Sequence, residues 1–491
     1  MFEGDLLEER ARITPDRLAL VSVETGRRLT YRELNTLAER AAGAIVAAGI
    51  QAGDRFGILA HNSVEYVALF FAAGKCGAIV VPLSTRATAH ELQAIVDDCG
   101  MKTIWYGDEF EAVALSLTVN RRPLTEIQGG ASVNGERLTV NDRALRDEDT
   151  YALLYTSGTT GRPKGVMIPR RQLLWNGYNT VMSWGLREDD VSPIFTPLYH
   201  AGGLAVFLIP LFCAGGTIVL HKTFDASEVW RTIEREGCTV VLGVPTIWKL
   251  LMDAPEFQAV SLDRVRWFIS GGAPLPAYIS EAYEKRGVIL KQGYGMTEVG
   301  VNCFTMSGEE SRTKRGSIGR PMLFTEVELR DAGGHAVKAG EVGEMYIRGP
   351  HVSTGYWGNA AETAQSYLEG GWFRTGDLAR RDEDGFFYIA GRRKEMFISG
   401  GVNVYPAEIE AELVLHPSVS DAAVIAVPHE TWGEAGVAFV VARDVSADDL
   451  TQYLTTRIAR YKVPRQFIFL DALPRTPYGK VEKARLRATL T

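Results

Sequence analysis

The chain has 491 residues, too many for one ordinary hydrophobic core, so two or three domains are expected. Apolar residues make up 46% and charged residues 23%, the balance of a soluble globular protein rather than a disordered or fibrous one. A net charge of −7 gives no basic field for nucleic acid, so a polyanion would have to be held by local donors and a metal. The cysteines Cys76, Cys99, Cys213, Cys238 and Cys303 lack paired metal-ligand spacing and read as free thiols of a reducing cytosol, which makes the expected location cytoplasmic. The stretch from Met1 to Glu9 is acidic without an apolar core, so it does not read as a secretory signal.

In chain order, Arg55 to Ala60 reads as a strand, Ser63 to Lys75 as a helix and Ala78 to Pro82 as the next strand. Ala201 to Leu220 carries no charge and is long enough to span a membrane. Gly202, Gly203, Pro210 and Gly215-Gly216 interrupt it, however, and predict a short buried helix and a strand. Ser227 to Glu236 then reads as a helix and Thr239 to Gly243 as a strand, and this alternation argues for parallel sheets covered by helices. Beyond about Ala332, glycine turns separate short alternating strands such as Glu344 to Arg348, which suits a small β-rich subdomain. The last part alternates again: helix Ala407 to Leu415, strands Ala422 to Val427 and Val437 to Ala442, and helix Ala447 to Arg460.

One segment narrows the chemistry. Tyr155 to Gly165 reads Tyr-Thr-Ser-Gly-Thr-Thr-Gly-Arg-Pro-Lys-Gly and follows an apolar strand. Glycines let backbone N–H groups approach phosphate oxygens, hydroxyls add donors, and Arg162 and Lys164 add charge. It is not a Walker A loop, because Pro163 precedes Lys164 and Gly165 follows it where Ser or Thr would be needed. The alternative is a plain surface turn.

This run resembles the phosphate loop of the adenylate-forming superfamily, which holds acyl- and aryl-CoA synthetases, amino-acid adenylation domains and luciferases. Further motifs of that family follow in order: Tyr294 to Glu298, Trp372 to Asp377, Gly391 to Glu395, Ser399 to Glu410, and Pro474 to Lys480. The likeness starts at Leu29 to Leu34 and covers nearly the whole chain. It implies an α/β fold. Residues 1–391 would form a large AMP-binding domain of two parallel-rich α/β sheets, with a β-rich subdomain at about 325–391. A hinge would fall at 392–394 and a small mobile α+β lid domain at 395–491.

The resemblance also implies a two-step ligase. A carboxylate attacks the α-phosphate of ATP to give an acyl-adenylate and pyrophosphate, and coenzyme A then takes the acyl group. A carboxylic acid is already ionised at pH 7, so the first step needs charge neutralisation and positioning rather than a general base. In this reading Thr156, Ser157, Gly158, Thr159, Thr160, Gly161 and Lys164 hold the β- and γ-phosphates. Thr297 donates to the α-phosphate, and Glu298 binds Mg²⁺ unless it is only a helix N-terminal carboxylate. Gly272, Ala273 and Pro274 line the adenine beside Gly295, and Tyr294 stacks on the base. Asp377 accepts both ribose hydroxyls unless it is only a turn residue, and Arg392 lies next to the sugar. Lys480 is the main catalytic cation. Rotation at Lys394 would exchange it for Ser399, Gly400 and Gly401, which leave room for a thin pantetheine arm, with Trp432 meeting the CoA end or simply packing in the small domain.

The partner expected is a small-molecule carboxylic acid, fatty or cinnamate- and benzoate-type, with no nucleic acid and no transmembrane segment, in a monomer or homodimer. Walls proposed for its pocket are Trp175, Tyr178, His200, Gly203, Val244, Gly271, Gly295, Val299 and Val301. Three of these are glycines expected to leave room for a ring or long chain. Two departures from the family pattern stand out. Pro169-Arg170-Arg171 replaces the commoner Thr-His-Arg, and Gly391 replaces an aspartate before the hinge arginine, which would loosen it. The competing readings are an amino-acid adenylation enzyme serving a separate carrier protein and a luciferase-like oxygenase. The first would want a pocket aspartate, but Asp225 in Phe224-Asp225-Ala226-Ser227 reads as a helix cap instead.

Overall fold

The computed structural model describes residues 5–128, 145–157, 163–399, 401–476 and 481–490. The strands Arg55–Leu59, Ile79–Pro82 and Thr103–Tyr106 run parallel, with the helices Val64–Cys76 and Ala89–Cys99 carrying the chain back between them. The first helix starts where the Ser63 hydroxyl accepts from Tyr66 N and stops at Gly77, whose φ of +71° suits glycine. It is apolar on nearly every side because it is covered all round. Across this sheet the order is Asn120–Pro123, Thr103–Tyr106, Arg55–Leu59, Ile79–Pro82, Thr150–Ser157, Pro163–Pro169. The last two strands pair antiparallel and set Thr156 opposite Lys164.

A second sheet runs Arg28–Thr30, Leu18–Ser22, Thr217–Leu220, Val191–Ile194. The parallel strands Val240–Gly243, Trp267–Ser270 and Leu290–Gln292 continue beside it, tied by Thr239 N donating to Val191 O at 2.8 Å. Helices Ala226–Arg235 and Ala277–Lys285 close over an aromatic cluster there. Trp248 stacks on Phe268 at 5.0 Å and meets Tyr283 edge-on at 5.4 Å. Such pairs add about 0.5–1.5 kcal/mol each beyond their buried area.

The apolar stretch from Ala201 to Leu220 does give a helix and a strand, but Pro210 does not break the helix. The chain runs helical through Ala201–Gly203, a π-turn at Leu204–Leu208, and Ile209–Ala214. Proline lacks the N–H that Val206 O would otherwise receive, and Asn302 Nδ2 supplies it at 3.2 Å. Asn176 Nδ2 likewise donates to Ala205 O at 2.7 Å. Among the described residues no helix is long and apolar enough to cross a membrane.

Next come the antiparallel strands Glu326–Arg330, Val342–Arg348, Trp372–Arg381 and Phe387–Arg392 around their own core. The small C-terminal domain pairs Val419–His429 with Gly433–Ala442, flanked by the short hairpin Phe397–Ser399 and Val402–Val404 and by Gln466–Phe469. Helices Pro406–Val414, Ala447–Thr455 and Lys483–Ala488 cover it. The helix expected to reach Arg460 ends at Thr455, and Arg460–Lys462 forms a separate 3₁₀ turn.

Candidate active site

Asp377 owes its position to a strand irregularity. Along Trp372–Arg381 the pairing with the neighbouring strand slips between Tyr346↔Arg374 and Glu344↔Leu378. Gly376 takes up the slip with φ +71°, and Thr375 locks it by donating its hydroxyl to Met345 O and accepting from Asp377 N. The buried Asp377 carboxylate accepts from Tyr294 Oη on one oxygen, at 2.5 Å, and its other oxygen forms an ion pair with Arg392 Nε at 2.6 Å. Burial first, then the Asp377 charge, pushes the Tyr294 phenol well up, so it stays a donor. Tyr294 therefore orients Asp377 as well as presenting a ring. Each carboxylate oxygen keeps acceptor capacity for a sugar hydroxyl.

Tyr294 opens a tight turn in which Met296 N donates to Gly300 O and Cys303 N to Tyr294 O. No helix starts at Glu298, so the helix-terminus alternative for it fails. Gln172 Nε2 holds Thr297 O at 2.9 Å, and Ser353 N holds Glu298 O at 2.8 Å. The Glu298 side chain is buried and receives the Tyr356 hydroxyl at 3.1 Å. Burial raises its carboxyl pKa, opposed by hydrogen bonds and by the charges of Arg392 and Lys164. A buried carboxylate with no ion-pair partner among the described residues fits a Mg²⁺ ion, which takes one or two carboxylates together with phosphate oxygens. Lys164 Nζ lies 2.5 Å from Glu362 Oε1 and 5.6 Å from the Tyr356 ring centre. Gly158, Thr159, Thr160 and Gly161, with Arg162 and the side chain of Ser157, lie outside the described residues, as do Gly400 and Lys480.

Gly272, Ala273 and Pro274 follow the strand Trp267–Ser270, with Gly272 at φ +79° and Leu275 N donating to Gln292 Oε1. Gly271 faces open space, as a pocket wall should. Two other glycines do not. A Cβ on Gly295 would sit 2.2 Å from the Val301 carbonyl, and one on Gly203 would sit 2.3 Å from Pro197 O. Their missing side chains let backbone approach backbone closely in the direction a Cβ would take. Val299 is fully buried in the β-subdomain core, and Val301 packs against the main core of the large domain. Trp175 packs on Phe324 at 5.1 Å. Tyr178 lies near enough to Cys213 and Arg10 for their charges to act on its phenol.

The His200 ring meets that of Tyr199 at 4.7 Å, tilted by 44°. Burial first, then the nearby Arg86 charge, pushes its pKa down to about 3, so it is neutral at physiological pH. Tyr199 and Val244 line a cavity of about 150 Å³ whose walls also carry His61, Arg86 and Lys222. Sequence reading missed these three basic residues, which come from loops far apart in the chain.

At the hinge, Arg392 pairs with Asp377, and Arg393 Nη1 lies 3.0 Å from Glu344, which Arg374 also holds at 2.8 Å. On the other side Glu395 meets Lys483 at 2.9 Å, and Lys483 meets Glu410 at 2.7 Å. Lys394 is the residue between these two sets of anchors. Gly391, expected to loosen the hinge arginine, has φ +149°, a conformation side chains rarely adopt, and Arg392 is held regardless. The second departure is structural: Arg170 Nη1 donates to Gly74 O, and Arg171 bonds Glu148, Val352 O and Pro350 O.

Ser399 pairs with Gly433, which brings Ser399, Gly401 and Trp432 to one corner of the small domain. Arg465 lies over the Trp432 ring at 5.2 Å. The Arg475↔Val481 bridge and the Glu482 N to Pro474 O bond at 2.8 Å close the base of the segment that carries Lys480. Asp225 caps the helix Ala226–Arg235 by accepting from Glu228 N at 2.7 Å, so it is not a pocket aspartate.

Residues 7–357 match the family of AMP-binding enzymes, and residues 408–480 match the AMP-binding enzyme C-terminal domain. The chain belongs to this family. Among its relatives is a feruloyl-CoA synthase of an Amycolatopsis species, 38% identical over 97% of both chains. Another is the long-chain-fatty-acid–CoA ligase FadD13 of Mycobacterium tuberculosis, 37% identical over 99% of this chain and 97% of that one. ATP-bound MatB from Rhodopseudomonas palustris superposes with a TM-score of 0.91 at 33% identity, covering 100% of this chain and 99% of that one. The apo form of MatB gives 0.81 at the same identity and coverage. Since sequence and coverage are unchanged, the difference lies in structure, and this chain has the arrangement closer to the ATP-bound form.

Proposed function

We propose that the chain is an AMP-forming acid–thiol ligase. It joins a fatty or cinnamate- and benzoate-type carboxylic acid to ATP as an acyl-adenylate and then passes the acyl group to coenzyme A. The observation that carries this reading is a convergence. Tyr294, Asp377, Arg392, Glu298 and Lys164 come from four motifs spread along the sequence and are linked by the Tyr294–Asp377–Arg392 bonds and by Tyr356, which lies between Glu298 and Lys164.

Asp377 fixes the ribose, and the turn Gly272–Pro274 borders the base. Lys164 neutralises the departing phosphates, and Thr297 faces the α-phosphate. Mg²⁺, held at Glu298, supplies further neutralisation of phosphate charge. With an ionised acid as nucleophile, these residues position and screen charge, and proton transfer is not required. Val244, Gly271 and the neutral His200 serve as walls of the acyl pocket in this reading. The neighbouring cavity, edged by Arg86 and by Lys222 in its ion pair with Glu109, is the place proposed for the thiol co-substrate. Residues 1–391 act as the nucleotide-binding domain, 392–394 as the hinge and 395–491 as the lid, in a cytoplasmic setting.

The test is a pyrophosphate-release screen over fatty, cinnamic and benzoic acids, with and without coenzyme A. Release with an acid, followed by CoA-dependent thioester, is the expected result. Release only with amino acids, or light emission in place of thioester, would sink the reading.

A further inference from the structure

Lys164 and Glu298 carry opposite charges into one half-buried space, near enough for the lysine charge to act on the carboxyl. Left to themselves they would attract and close on the place where phosphate and metal belong. They are kept apart. The Glu362 carboxylate takes Lys164 Nζ at 2.5 Å, the Tyr356 ring lies under the same ammonium, and the Tyr356 hydroxyl is turned to Glu298 at 3.1 Å.

Tyr356 and Glu362 form one built unit. Asn359 Oδ1 accepts from Glu362 N at 3.0 Å to cap the helix Ala360–Ser366. Thr363 Oγ1 accepts from Tyr356 N at 3.0 Å and donates to Asn359 O at 2.8 Å. The same segment is fastened to the strand that carries Lys164: Met167 N donates to Gly355 O at 2.9 Å and Trp357 N to Gly165 O at 2.8 Å. Gly355 permits this at φ +139°, where an added Cβ would strike Thr363.

We propose that Glu362 and Tyr356 are positioning residues that hold Lys164 away from Glu298 before nucleotide arrives, keeping the metal carboxylate open and the lysine aimed at the phosphates. The proposal rests on the reading that Lys164 and Glu298 serve ATP and Mg²⁺. When ATP binds, its phosphates replace the Glu362 carboxylate as partner of Lys164. Without Glu362, the ammonium falls toward Glu298 and competes with the metal.

The experiment is calorimetric binding of ATP to the full chain along a Mg²⁺ titration, for wild type, Glu362→Gln, Lys164→Ala and the double variant. Glu362→Gln is expected to need about tenfold more Mg²⁺ for half-maximal ATP affinity, by competition for one ligand. The double variant should need no more than Lys164→Ala alone. Tyr356→Phe, which keeps the ring and the fold but drops the hydroxyl, should shift the Mg²⁺ requirement the same way. A Glu362→Gln requirement within twofold of wild type overturns the proposal. So does a shift that persists undiminished once Lys164 is gone, because the effect would then not pass through the lysine. Wild-type affinity that ignores both Mg²⁺ and Lys164→Ala would instead overturn the underlying reading of the site.

Discussion

On the nucleotide side, Tyr294, Asp377, Arg392, Glu298, Tyr356, Lys164 and Glu362 are joined by bonds of 2.5 to 3.1 Å and one ring contact, and nearly every charge has a partner before ligand arrives. The acyl side is built differently. His200 is neutral, Gly271 faces open space, and two further glycines lie pressed against backbone. The first region is preorganised by charge and the second by steric exclusion. Removing a charge should therefore cost catalysis, whereas adding an atom should cost either folding or substrate range, depending on which glycine receives it.

The largest effect should come from Lys480→Ala, which tests whether charge dominates the first step. Adenylation should fall about 10²- to 10³-fold, the cost of roughly 3–4 kcal/mol at a transition state. Supplied acyl-adenylate should still react with coenzyme A. Equal loss in both half-reactions would break the assignment of Lys480 to the first step alone.

The acyl side is tested by a pair of glycines. Gly295→Ala puts a Cβ 2.2 Å from the Val301 carbonyl, so backbone must move, at a cost of about 1–3 kcal/mol or more. Gly271→Ala meets nothing within 4 Å, and its stability should stay within about 0.5 kcal/mol of wild type while larger acids lose turnover. Urea midpoints and an acid panel separate the two, and identical behaviour would mean that close approach and open wall have been confused.

Lys394→Pro probes the residue between the Glu344–Arg393 and Glu395–Lys483 anchors. Proline fixes φ near −65° and removes an N–H, so rotation should be hindered without touching either side. Pyrophosphate release should stay near wild type while CoA-dependent use of the adenylate drops about tenfold, equivalent to 1.4 kcal/mol. Wild-type rates in both steps would place the pivot elsewhere.

The smallest effect is on pH dependence. The His200 pKa lies near 3 when folded, against about 6.5 when unfolded. As pH falls through 6.5 the unfolded chain takes up the proton first. The stabilisation from His200 is thus complete above 6.5 and drains away as pH falls toward 3. His221, held down to about 4 chiefly by burial, adds to the same slope. His200→Gln should flatten the loss of stability between pH 7 and 4.5, read from urea midpoints. An unchanged slope would mean that the half-buried setting of His200 does not hold its proton off.

The sequence alone determined the order and kind of the nucleotide elements, because each is a local backbone device. Gly376 and Thr375 set Asp377 through an irregularity within one strand, and Asp225 and Ser63 announce helix starts within a single turn. Long-range packing hid the rest. A glycine that faces open space and a glycine that lets two backbones cross look the same in one dimension; Gly271 is of the first kind, and Gly203 and Gly295 are of the second. Asn359 and Glu362 have the spacing of a helix cap, yet nothing in the chain says that Glu362 will meet Lys164, 198 residues away. Local rules fix where a charge can be displayed. Tertiary structure alone decides which opposite charge it meets, because attraction depends on distance in space and not along the chain.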